Sequence, residues 1–182
     1  MLREVIYTDQ INVRNDVSTL LVDAFPEDER PPVDFFFDNL KENSNVSLLV
    51  FYEDDAFIGF TSLAFYQDVC YIFFLAVTPT YRNKGYGSQI LEIIKKEYRD
   101  YVLLLAYEEV NPKYDNYLER KNRQKFYRNR GFIDNEMTTI EWGVHFQTAY
   151  IGKRKVTFEE YKEIFRICFG VNPDKFLKKA IE

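Results

Sequence analysis

The seven residues Arg82-Asn83-Lys84-Gly85-Tyr86-Gly87-Ser88 hold two glycines and two cations, separated by Thr78-Pro79-Thr80-Tyr81 from an apolar run that ends Leu75-Ala76-Val77. Glycine weakens regular elements, so two of them at a joint mark backbone that turns sharply or lies close to something. Beyond them Ile90, Leu91, Ile94 and Tyr98 recur with helical spacing. A helix start carries unpaired amides and the positive end of the dipole, which together favour an anion. Gly85 permits the turn, Gly87 removes a side chain from the approach, and Arg82 and Lys84 add charge. The chemistry this describes is a pyrophosphate cradle on the amides of Arg82, Asn83, Lys84, Gly85, Tyr86, Gly87 and Ser88. A tight strand-to-helix joint bearing exposed cations would use the same residues. Two other phosphate patterns are excluded. No Gly-Lys-Ser/Thr follows as a P-loop requires, and the third glycine of a dinucleotide fingerprint is missing.

Further along, Tyr127 stands in the run "NRQKFYRNRGF", Asn122 to Phe132. A phenol with a pKa near 10 is neutral at physiological pH and can donate a proton. A core aromatic on an amphipathic helix would look the same. Six basic residues and no acidic one lie between Arg120 and Arg130, a cluster that could hold a polyphosphate or form a solvated face. Glu108 and Glu109 end the apolar run "YVLLLAY" and are the candidates for a general base. Neighbours in a strand face opposite sides, so one of the two could meet a substrate, and Glu108 is the nominee. Solvated carboxylates at a strand end, with a water relay in place of a base, are the alternative. His145, the only histidine, falls in a late strand away from both motifs and is read as structural. No Cys/His cluster has metal-ligand spacing, so no metal is expected.

The elements that must position these groups follow from periodicity. A short strand near Glu4 to Tyr7 leads into a helix with Val17, Leu20, Leu21 and Ala24 on one stripe and Asn15 or Asp16 as its cap. Val33, Phe36, Phe37 and Leu40 repeat that spacing, with Pro32 suited to the first turn and Phe35 off the stripe. "VSLLVFY", "AFIGFTSLAFY" and "CYIFFLAV" then read as an antiparallel meander with turns at "EDD" and "QD". After the glycine stretch and its helix, "YVLLLAY" is a strand covered on both faces, parallel to the fourth through a right-handed crossover. A helix over Tyr117 to Arg130 stops at Gly131, and two strands flank a turn near Trp142 and Gly143. Thr157 and Glu160 make a capping box for a helix carrying Tyr161, Ile164, Phe165 and Cys168, ended by Gly170. Asn172 and Pro173 open a short final helix.

With 182 residues, 46% of them hydrophobic, and no repeat or linker, the chain reads as one domain over 1–182, with 157–182 a C-terminal helical extension. A net charge of −5 argues against general nucleic-acid binding. Cys70 and Cys168 each sit in apolar patterns, as free buried thiols of a reducing compartment do. The first residues lack the apolar core of a signal peptide, and no apolar run approaches the ~20 residues of a membrane span. A cytoplasmic protein with no membrane partner is expected.

"FLAVTPTYRNKGYG", followed by a helix, an apolar strand and "FYRNRGF", resembles the GNAT superfamily of acyl-CoA-dependent N-acyltransferases. The family pattern is Arg/Gln-x-x-Gly-x-Gly/Ala at a phosphate loop, then Tyr-x-x-x-Gly-Phe at a later helix. Both halves occur here in order, and the resemblance covers Phe51 to Phe132. It implies an α/β fold (α+β) with a mixed, mostly antiparallel central sheet, strands four and five parallel and splayed, and helices on the faces. It implies that pantetheine of acetyl-CoA lies along the backbone of Leu75, Ala76 and Val77, and that the pyrophosphate sits on Arg82 to Ser88. Tyr127 matches the family tyrosine beside the CoA sulfur. Two positions depart from the pattern: Arg120 stands where an asparagine is frequent, and Tyr71 stands where some relatives carry a glutamate base.

The expected function is transfer of an acetyl group from acetyl-CoA to a primary amine of a small molecule or peptide. The competing reading is a non-catalytic acyl-CoA-binding or regulatory module on the same fold. The loop that shapes the acceptor pocket in this family holds Glu27, Asp28 and Glu29 here, which would attract a cationic amine or are solvated charges at helix ends. Part of the late strands could complete a homodimer.

Overall fold

The computed structural model describes residues 2–7 and 10–180, without the side chain of Asp28. The last two positions of the expected C-terminal extension therefore lie outside the described residues. The chain divides into two compact units, the first Met1–Phe65 with Ile72–Glu97 and the second Tyr66–Tyr71 with Tyr98–Glu182.

The first unit comprises strand β1 (Arg3–Ile6), helix α1 (Ile11–Ala24), a 3₁₀ turn at Glu27–Glu29, helix α2 (Val33–Glu42), strands β2 (Val46–Glu53) and β3 (Ala56–Tyr66), most of β4 (Val69–Val77), and helix α3 (Tyr86–Glu97). Its core gathers Val17, Leu20 and Leu21 of α1, Phe36 and Phe37 of α2, and Leu48, Val50, Phe60, Phe74 and Ala76 of the strands. The stripes that periodicity predicts on both helices are thus the buried ones. The start of α1 differs, because the helix begins one turn before Asn15, at Ile11, with Gln10 making no side-chain cap. Tertiary contacts hold that added turn: Val13 packs on the core, while Arg14 lies 4.2 Å over the Phe37 ring and bonds Asp34 at 3.1 Å.

In the second unit come strand β5 (Val102–Glu108), helix α4 (Tyr117–Arg128), strands β6 (Ile133–Glu141) and β7 (Val144–Ile151), helix α5 (Phe158–Phe169), a 3₁₀ turn at Pro173–Lys175 and strand β8 (Leu177–Lys179). The capping box is present, Thr157 Oγ1 accepting from the Glu160 amide while Glu160 accepts from the Thr157 amide, and Gly170 caps the far end in the left-handed conformation. The C-terminal segment is not purely helical. Three residues of β8 pair with β6 through Thr139↔Lys179, Ile140↔Lys178 and Glu141↔Leu177, a strand too short to leave a periodic pattern. Among the described residues neither cysteine forms a disulfide; both are buried, with burial pushing the Cys168 thiol up to about 12 and Cys70 higher still.

One eight-stranded mixed sheet runs in the order β1-β2-β3-β4-β5-β7-β6-β8, with β4 and β5 parallel and the other neighbours antiparallel. Among the described residues, no helix is long and apolar enough to cross a membrane.

Candidate functional site

In the first unit, the chain leaves β4 at Leu75, Ala76 and Val77 and passes a 3₁₀ turn, Pro79–Tyr81, into the glycine stretch and then α3. Hydrogen bonds take the amide of Arg82 to the Pro79 carbonyl and the amide of Ser88 to the Gly85 carbonyl. Among the described residues, none takes the amides of Asn83, Lys84, Gly85, Tyr86 or Gly87. Two left-handed residues, Asn83 at φ 61° and Gly85 at φ 88°, produce the turn that leaves these N–H groups open. Five consecutive open donors at the positive end of a helix make an anion seat. The two outer amides of the expected cradle are occupied by the turn itself.

Side chains brace this loop. Arg82 donates to the Val77 carbonyl at 3.0 Å and to Asp23 of α1 at 3.0 Å, so its guanidinium is held against α1. The Tyr86 hydroxyl donates to Glu53 of β2, an interaction that holds the Glu53 carboxyl below its usual range and pushes the phenol up. Lys84 lies 5.4 Å over the Tyr81 ring.

Gly59 and Thr61 of β3 shape the end of β4, and neither was singled out from sequence. A Cβ at Gly59 would stand 2.1 Å from the Ala76 carbonyl oxygen, so only glycine permits that approach. Thr61 Oγ1, buried, donates to the Phe74 carbonyl at 2.8 Å. A lone glycine inside an apolar strand pattern was the available signal, since it marks close backbone approach.

In the second unit, Tyr127 lies on α4, half-buried, stacked on Tyr107 of β5 with ring centroids 6.0 Å apart and met edge-on by Phe132. Its hydroxyl makes no hydrogen bond among the described residues. Burial pushes the phenol above its ordinary value, opposed by the nearby charge of Arg123.

Glu108 is buried, at 4% exposure, and its carboxylate is fully engaged. Arg120 approaches Oε1 at 3.2 Å, Asn116 donates to the same oxygen at 3.4 Å, and Arg123 binds Oε2. Arg120 in turn donates to Asn116 at 2.6 Å and to the Glu109 carbonyl at 3.2 Å, with its guanidinium 3.8 Å from the Tyr114 ring. The basic cluster is therefore divided. Arg120 and Arg123 neutralise Glu108, Arg130 folds back over Phe126 and its carbonyl, and Lys125 and Arg128 are exposed. Glu109 is partly buried, which raises its carboxyl, but bonds from Tyr114 and Lys113 outweigh this and hold it below the usual range. His145 sits in β7, where its carbonyl accepts the Glu109 amide. The 3₁₀ turn Glu27–Glu29 carries the acidic residues expected to face an acceptor, of which the Asp28 side chain lies outside the described residues.

Comparison with known proteins agrees with the fold. The family model described as "Acetyltransferase (GNAT) family" matches residues 14–132. Among solved structures, one assigned to the GNAT family in Bacteroides thetaiotaomicron superposes with a TM-score of 0.78 at 22% identity, covering 93% of this chain and 99% of its own. An aminoglycoside 6'-N-acetyltransferase complexed with coenzyme A gives 0.65 at 14% identity, covering 86% and 98%. A GNAT family acetyltransferase from Elizabethkingia anophelis with acetyl-CoA bound gives 0.59 at 14% identity, covering 84% and 98%. No curated protein matches the chain.

Proposed function

Because the chain belongs to the GNAT family of acetyltransferases, we propose that it moves an acetyl group from acetyl-CoA to a primary amine of a small molecule or peptide, by direct attack in a ternary complex. The observation that carries this reading is the row of open amides from Asn83 to Gly87 at the start of α3, which suits a pyrophosphate. In the proposal the backbone of Leu75, Ala76 and Val77 binds pantetheine, and a β4 amide polarises the acyl carbonyl. Arg82 and Lys84 add charge at the phosphates, with Asn83, Gly85, Tyr86, Gly87 and Ser88 forming the turn around them.

Tyr127 supplies the proton that the departing thiolate needs. Its neutral phenol and uncommitted hydroxyl support that role. We assign Glu108 to anchoring rather than to proton abstraction, because two guanidinium groups and Asn116 already occupy its oxygens. Its carboxylate fixes Arg120 and Arg123, and so the helix that bears Tyr127.

Titration calorimetry of acetyl-CoA and CoA into wild type and Gly87→Glu tests the reading. Gly87 lies in the first turn of α3, where a glutamate is compatible with the helix dipole but opposes phosphates. Micromolar binding to wild type, lost in a variant that stays folded, is expected. Failure of wild type to bind either ligand would sink the proposal.

A further inference from the structure

Attack of an amine on a thioester builds negative charge on the acyl oxygen, and a donor already aimed at that oxygen lowers the barrier. The reading above gives this task to an amide of β4 without saying which. Within the first unit, the contacts between β3 and β4 decide it. Gly59 and Thr61 stand two positions apart on β3, so both face the same side of the sheet. The Thr61 hydroxyl, fully buried, donates to the Phe74 carbonyl at 2.8 Å. Strand side chains stand roughly perpendicular to the sheet, so a carbonyl bonded to one is tilted toward that face. The Ala76 carbonyl tilts likewise. Its oxygen lies 2.1 Å and its carbon 3.1 Å from where a Gly59 Cβ would be, so the bond is aimed into the space that glycine leaves.

A trans peptide carries its N–H opposite its C=O. The Phe74 carbonyl shares a peptide with the Leu75 amide, and the Ala76 carbonyl shares one with the Val77 amide. Both amides therefore point away from β3. Leu75 and Val77 are half-buried, whereas Phe74 and Ala76 are buried. The glycine loop follows Val77. A ligand with its pyrophosphate on that loop and its chain along β4 thus passes Val77 first and brings its acyl end to Leu75.

We propose that Thr61 is a positioning residue for acetyl transfer: by holding the Phe74 carbonyl, it aims the Leu75 amide that polarises the acyl oxygen. The inference rests on the acetyltransferase reading above. A hydroxyl carries one proton, and that of Thr61 is spent on Phe74, so Thr61 acts through the peptide and offers the substrate no donor of its own. A carbonyl that accepts a hydrogen bond polarises its amide, which makes the Leu75 N–H a stronger donor. Without the hydroxyl the peptide loses that bond and is free to rock, taking the N–H off line.

Thr61→Val keeps the shape of the side chain and removes the hydroxyl, while Thr61→Ser keeps the hydroxyl and removes a buried methyl. Both are expected to lower Tm, so lost stability by itself would affect both alike. Acetyl-CoA isotopically labelled at the acyl carbonyl is bound to each protein without any amine. Infrared difference spectroscopy reads its carbonyl stretch, which a hydrogen bond lowers, and calorimetry gives the CoA affinity. In wild type and Thr61→Ser the stretch should lie below that of free acetyl-CoA, and in Thr61→Val it should return toward the free value. CoA, which has no acyl carbonyl, should bind all three equally. With an amine that is turned over, kcat should fall about tenfold in Thr61→Val and recover in Thr61→Ser. If Thr61→Val does not fold, Thr61→Ala against Thr61→Ser makes the same comparison at matched size.

The same lowered stretch in Thr61→Val as in wild type overturns the proposal. So does a shift that weakens in both variants in step with Tm, which is the mark of packing. An unshifted stretch in wild type that binds acetyl-CoA overturns the amide assignment and leaves the cofactor reading standing. Wild type that binds neither acetyl-CoA nor CoA ends the functional reading, and this inference with it.

Discussion

Tyr127 and Glu108 were legible in sequence to different degrees. Tyr127 stands in a pattern that suggests its proposed role, and the structure gives it an aromatic bed on Tyr107 and Phe132. Replacing it with phenylalanine keeps that bed and removes only the proposed acid. We expect Tyr127→Phe to lower kcat by about 10²-fold with unchanged CoA affinity, read from steady-state rates and calorimetry. The raised phenol also fixes a sign. A group whose pKa lies above its ordinary value of about 10 stays protonated throughout the physiological range, so the acid limb of kcat declines only above about pH 10. Glu108 looked like a free carboxylate at a strand end. Its partners stand 8, 12 and 15 residues later, and only folding brings Asn116, Arg120 and Arg123 onto it.

At the scale of elements, the strands and helices follow from period and punctuation, while their close approaches do not. The β3–β4 contact is the clearest case. β3 reads as an apolar strand with one glycine, but the reason for that glycine is the Ala76 carbonyl, 2.1 Å from where a Cβ would be. Backbone cannot yield as the tip of a flexible side chain can. Gly59→Ala is therefore expected to destabilise the protein by at least about 3 kcal/mol, or to displace the end of β4 on which the proposed pantetheine contacts depend. Chemical denaturation gives the first quantity and CoA affinity reports the second. A variant as stable as wild type with unaltered CoA binding would contradict this. The Arg82–Asp23 pair likewise joins the glycine loop to α1 across 59 residues of sequence, where no local pattern announces it.

For the whole molecule, acidic pH is the informative variable. Arg154 binds Asp68 at 2.5 Å and Glu160 at 2.7 Å, linking the β3–β4 turn to the start of α5. Hydrogen bonds from Arg154 hold both carboxyls below their usual range. A depressed folded-state pKa contributes stability that is complete above the unfolded value, about 4, and is lost as pH falls through the folded one. The Tm difference between wild type and Arg154→Ala should therefore be largest near neutrality and shrink toward about pH 3. A difference independent of pH would show that Arg154 acts through packing alone.

By itself the sequence determined the element order as far as α5, the buried stripes of α1 and α2, the capping box of α5, the glycine turn and the helix that carries Tyr127. Each of these depends on residues within a few positions of one another, or on a period that a short window contains. Tertiary structure alone decided which amides in the glycine stretch remain open, which carboxylate is spent on arginines, and which β4 carbonyl a threonine holds. It also turned the segment after Pro173 into a strand of the sheet. Those outcomes are pairings across tens of residues, set by how strands register and where helices pack. A hydrogen bond or an ion pair depends on the distance between atoms, and no local spacing in the chain specifies that distance.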